Sequence, residues 1–119
     1  MRMLLPPVAV RKMVKESLKL FFQTEDQSHF DTALHAVMGF YNLSVPKVEW
    51  VDRFEDARVG GLTWETGKVQ LIKPSVWKRN RKHNGMRRWR EIALHEIGHV
   101  VMWHDAELKA DKFAESMLK

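Results

Sequence analysis

The stretch His95-Glu96-Ile97-Gly98-His99 constrains this chain more than any other. Leu94, Ile97, Val100 and Val101 surround it at helical spacing, so the helix is apolar, and His95, Glu96 and His99 are polar groups set beside a core. Such groups need hydrogen-bond partners or a metal. On a helix, positions four apart lie about 40° apart in azimuth and about 6 Å along the axis, so the two imidazoles converge on one point. The fold must bring a further element to that point.

The 119 residues suit one domain spanning the whole chain. Val10, Met13, Val14, Leu18, Phe21 and Phe22 predict a first amphipathic helix. Phe30, Ala33, Leu34, Val37, Met38 and Tyr41 predict a second, capped by Ser28 and stopped by Asn42 and Pro46. Val48 to Val51 is β-type. Gly60-Gly61 introduces Leu62-Thr63-Trp64, and Glu65-Thr66-Gly67 is a hairpin turn into Lys68 to Ile72. Leu62 and Trp64 alternate with Thr63, and Val69 and Leu71 with Lys68 and Gln70. One sheet face is therefore expected to pack on helices, with an edge free to receive an extended peptide. A basic run from Trp77 to Arg90 follows, broken near Asn84-Gly85 into a loop followed by a helix start. Helical patterns then resume over Glu91 to Trp103 and Ala106 to Leu118. The fold class is α+β: N-terminal helices, a small three-stranded and mostly antiparallel sheet, the His-Glu-x-x-His helix and a C-terminal helix.

Formal net charge is +5, but seven of the 20 basic residues lie between Trp77 and Arg90, where there is no acid. The rest of the chain holds 13 basic against 15 acidic residues. Lys78, Arg79, Arg81, Lys82, Arg87 and Arg88, beside Trp77 and Trp89, are candidates for contacting phosphates and stacking on bases, with a solvated basic loop as the favoured reading. The apolar start, Met1 to Val10, is cut by Pro6-Pro7 and is too short for a signal h-region or a membrane span, so a cytoplasmic protein with no membrane partner is expected.

With no cysteine, any zinc site must be built from histidine and carboxylate. His-Glu-x-x-His on a helix is the pattern of a metalloprotease: the histidines bind Zn2+, and Glu96, rotated off the pair, is the catalytic base. Three residues could supply a third ligand: His104, Asp105 and Glu107. Glu107 requires the chain to reverse near His104-Asp105, because a straight helix would carry it about 12 Å beyond His99. In a returning helix Asp111, one turn on, descends beside the histidines and can accept a ring N–H. Tyr41 and His83 are available as oxyanion donors, though spacing marks neither.

His95 to His104, followed by Glu107-Leu108-Lys109-Ala110-Asp111-Lys112-Phe113-Ala114, resembles the ImmA/IrrE metallopeptidases. Their catalytic helix reads HExGH, and their next helix reads E-x-x-A-N/D-x-F-A. The resemblance is close over 92–118 and looser upstream. It implies a minimal zincin-like fold, Glu107 as third zinc ligand, and regulated cleavage of a repressor-type transcription factor. The family's usual helix-turn-helix partner domain is not recognisable in this chain. Seven residues separate His99 from Glu107, fewer than is usual in the family, which keeps Asp105 and His104 as alternative ligands. Two other readings stand beside the small zinc endopeptidase. One is a protease resembling the SprT group and acting on DNA-bound proteins; the other is a non-catalytic zincin-fold module that binds a partner protein.

Overall fold

The computed structural model describes residues 4–56, 58–80, 85–102 and 107–119, without the side chains of Asn80, Glu107 and Leu108. Five helices and a three-stranded sheet form an α+β fold: α1 (Val8–Thr24), α2 (Gln27–Tyr41), β1 (Val48–Val51), β2 (Gly61–Thr63), β3 (Val69–Ile72), α3 (Pro74–Asn80), α4 (Gly85–Met102) and α5 (Glu107–Met117). Among the described residues, no helix is long and apolar enough to cross a membrane.

Helix α1 buries Val14, Leu18, Phe21 and Phe22 and ends at Glu25, whose φ of 56° is left-handed. Helix α2 is capped two residues earlier than expected. The Asp26 carboxylate accepts from the Ser28 backbone N–H at 3.0 Å and from its hydroxyl at 2.8 Å, so Ser28 sits inside the first turn. Asn42, at φ 55°, closes the helix as expected.

The sheet is mixed, with order β1-β3-β2. Strands β2 and β3 form the expected antiparallel hairpin, while β1 pairs with β3 in parallel, Val48 against Val69. At the hairpin turn Trp64 N–H donates to Lys68 O and Gly67 N–H to Trp64 O, both at 2.8 Å. This closure needs a left-handed residue, and Gly67 provides it at φ 90°.

The facing of β2 differs from the alternation expected. Leu62 and Trp64 are exposed, whereas Gly61 and Thr63, opposite the buried Leu71 and Val69, face α4. The cause is close approach. A Cβ at position 61 would lie 2.8 Å from Glu96 Cγ and 3.1 Å from Leu71 Cδ2. The inner face therefore takes the residue with no side chain, and the larger apolar residues point outward.

The start of the basic run is also helical. Pro74 opens α3, a position where its missing N–H costs nothing, and Val76 and Trp77 are buried. Helix α4 starts at Gly85, at the break where the sequence placed a helix start, and runs on through Glu91; Trp89 within it is a core residue at 2% exposure. Its indole N–H donates to Ile72 O at 2.9 Å. Phe21, Phe30, Trp50 and Trp89 pack ring on ring at centroid distances of 4.9 to 6.4 Å, joining α1, α2, β1 and α4.

Helix α5 lies against α4 at Gly98, where a Cβ would come 2.9 Å from Phe113 Cδ1 and 3.3 Å from the Ala110 backbone. Gly98→Val is therefore expected to lose about 1–3 kcal/mol, read from the urea midpoint. Gly39, within α2, has nothing within 4 Å of the Cβ it lacks. Gly39→Ala is expected to gain about 0.5–1 kcal/mol by helix propensity in the same assay.

The Asp26 cap adds a pH dependence. Hydrogen bonds from the Ser28 side chain, then from its backbone, hold the Asp26 carboxyl below the usual carboxylate range. The folded state thus binds this proton less readily than the unfolded chain, and the cap's contribution is present above about pH 4 and lost in acid. Asp26→Ala should melt below wild type at pH 7, with the gap closing as pH falls through the lowered value.

Candidate metal centre and its cleft

Helix α4 presents His95, Glu96 and His99 to a cleft of about 1120 Å³. Residues 58–63, including β2, form one wall, and Asp111 and Ala114 of α5, with Leu118 just beyond it, form another. Helix α5 begins five residues after the end of α4 and packs along it, with Gly98 against Ala110 and Phe113 and His95 against Asp111, so it runs back antiparallel, the reversal that the sequence spacing required.

The two imidazoles meet edge to face with centroids 4.7 Å apart, and their Nε2 atoms stand 3.0 Å apart. On its other side His95 Nδ1 lies 2.7 Å from Asp111 Oδ1. A carboxylate only accepts, so this contact holds the proton on Nδ1 and leaves the Nε2 lone pair turned towards His99. Two nitrogens bound to one tetrahedral zinc at about 2.0–2.1 Å are roughly 3.3 Å apart, so the pair needs to open by only a few tenths of an ångström. The histidine pair and its oriented tautomer fit a divalent ion of the zinc type.

Among the described residues, no three His, Asp or Glu side chains gather as a complete metal set. Position 107 opens α5 one turn before Asp111, but the Glu107 side chain, together with His104 and Asp105, lies outside the described residues.

Glu96 is 7% exposed. The Thr63 hydroxyl lies 2.9 Å from its Oε1 and 3.1 Å from its backbone O, tying β2 to the carboxylate that a hydrolytic site would use as base. Sequence alternation placed Thr63 with the solvent-facing residues and missed it. The signal available was Gly61, whose missing side chain marks the inner face two residues away.

Strand β2 is an edge of the sheet. Trp64 bonds across to Lys68, so the alternation of an antiparallel ladder points the N–H and C=O of Leu62 towards β3 and those of Gly61 and Thr63 outward. The same two residues that lie against α4 offer their backbone to an added strand.

Other candidates fall elsewhere. Tyr41 is not part of the cleft; its hydroxyl donates to Leu4 O at 2.6 Å, and burial raises its pKa. His83 lies outside the described residues, as do Arg81 and Lys82. Lys78 and Arg79 are exposed on α3, with Lys78 Nζ 4.8 Å above the Phe22 ring. Arg87 and Arg88 line the cleft and share Glu91 at 3.3 and 3.2 Å. Trp77 and Trp89, expected to stack on bases, are both 2% exposed, and their indole N–H groups are spent on Gly85 O and Ile72 O. They are core residues and offer no face to a base.

Comparison of the chain with protein-family models, curated proteins and solved structures returns no match.

Thr63→Val keeps the shape of the side chain but removes the donor to the buried Glu96 carboxylate. It is expected to cost about 1.5–3 kcal/mol in urea unfolding, with Thr63→Ser retaining most of the stability.

Proposed function

We propose that this chain is a small zinc-dependent endopeptidase of the zincin type, resembling the ImmA/IrrE group and cleaving a protein or peptide substrate in the cytoplasm. The observation that carries this reading is the pairing of two facing histidine Nε2 atoms with a buried glutamate, on one cleft beside an open strand edge.

His95, His99 and Glu107 would hold the ion. Glu107 is favoured because it lies one turn from Asp111 on α5, as His99 lies one turn from His95 on the antiparallel α4. The chemistry that zinc supplies in such a site is Lewis acidity towards the scissile carbonyl and the attacking water. The Glu96 carboxylate takes the proton from that water and returns it to the leaving amine, held in place by Thr63. Asp111 keeps the proton of His95 on Nδ1. An extended substrate adds to β2 through the outward N–H and C=O of Gly61 and Thr63, which sets its scissile bond beside Glu96. The family resemblance makes a repressor-type regulator the candidate substrate.

Metal analysis with a panel of variants tests the proposal. About one zinc per chain is expected, lost in His95→Ala, weakened in Glu107→Ala and retained in Glu96→Gln, which should cleave no peptide. Asp111→Ala should bind zinc about 10- to 100-fold more weakly in competition with a chromophoric chelator. No zinc in the wild type would remove the reading. Zinc without cleavage of any peptide or protein would favour the partner-binding module, and full zinc affinity in Glu107→Ala would move the third ligand to Asp105 or His104.

A further inference from the structure

The cleft extends beyond the histidine pair towards the start of α4, and that end is cationic. Lys15, Arg87, Arg88 and Arg90 line it against one lining carboxylate, Glu91, which Arg87 and Arg88 already share. Glu115 and Lys119, from the α5 side, offset one another. Arg90 is the unusual member. It is 8% exposed, its Nε has no hydrogen-bond partner among the described residues, and its Nη1 makes only a long 3.4 Å bond to Lys15 O. A guanidinium with one nitrogen buried and unpartnered and another held by a single long bond is short of acceptors, which an anion would supply.

We propose that this end of the cleft is a carboxylate subsite, which selects substrate peptides carrying an acidic residue about three positions from the scissile bond. Arg90 receives the carboxylate, with Lys15 and Arg87 beside it, and Arg88, exposed and on the His95 side of the helix, lines the approach. The spacing comes from α4 itself. Arg88 precedes His95 by seven residues, which returns it to within about 20° of the same azimuth and about 10 Å along the axis. An extended peptide covers that distance in about three residues. Burial weakens Arg90's hold on its proton, an effect opposed by Glu16 and reinforced by Arg87, so a bound carboxylate relieves a charge that the fold itself leaves under-compensated. The subsite rests on the reading of the cleft as a peptide site, but its binding step does not require cleavage.

The test uses the full chain carrying Glu96→Gln and measures fluorescence anisotropy with labelled, C-terminally amidated peptides that differ only in Glu or Gln at that position. A Gln peptide with a free C-terminus separates a terminal carboxylate from a side-chain one. The Glu peptide should bind about five- to tenfold more tightly than its amidated Gln counterpart. The preference should disappear in Arg90→Gln and fall in Arg88→Gln, an exposed position whose change leaves the core alone, while Lys47→Gln, outside the cleft, keeps it. Equal binding of the Glu and Gln peptides, no binding of either, or a preference unchanged in both arginine variants would overturn the subsite. A preference for the free C-terminus alone would overturn the side-chain assignment. Cleavage by wild type without acidic preference removes the subsite and leaves the protease. Acidic preference without cleavage by wild type removes the protease and leaves the subsite.

Discussion

The contact between α4 and α5 at Gly98 is the constraint on which the site depends. With no side chain at that position, Ala110 and Phe113 seat directly on the α4 backbone, and the antiparallel α5 delivers Asp111 to the outer nitrogen of His95. A second bare position does the same from the other side. Gly61 lets β2 approach until Thr63 reaches the Glu96 carboxylate. Between these two approaches, one helix holds two imidazoles and a buried acid in fixed orientations. The arrangement therefore rests on two missing Cβ atoms as much as on the polar residues themselves.

The charge on the chain is divided by the same packing. The basic run looks continuous along the sequence, but it contributes to two surfaces and to the core. Lys78 and Arg79 stand on α3, Arg87, Arg88 and Arg90 enter the cleft, and Trp77 and Trp89 turn inward between them. Along α4, cationic side chains occupy the first two turns and the histidine pair the last two. A peptide laid in the cleft would meet a cationic end and the histidine pair in one extended stretch.

Much of the helical framework could be read from periodicity. The stripes Val14-Leu18-Phe21-Phe22 and Phe30-Leu34-Val37-Met38 are buried as their spacing requires, because a 3.6-residue repeat leaves an amphipathic helix little choice of inner face. The relation of His95 to His99 was legible for the same reason, and the place of Asp111 followed from one assumed chain reversal. Helix α3 was hidden because its two buried residues, Val76 and Trp77, sit among cations that read as a loop. The facing of β2 was hidden because period-2 alternation assumes that the larger apolar residue turns inward, an assumption that fails where a helix comes within reach of a glycine.

By itself, then, the sequence determined what is local: which segments coil into helices, where the hairpin turns, and that two imidazoles four residues apart share a helix face. Those features follow from backbone geometry within a few residues. Tertiary structure alone decided that Thr63 meets Glu96, that Trp77 and Trp89 belong to the core, and that Arg90 is buried at the far end of the same cleft as His95. Each of these depends on how closely two distant elements pack, and that distance is set by side-chain volume at the crossing, a quantity that no single segment contains.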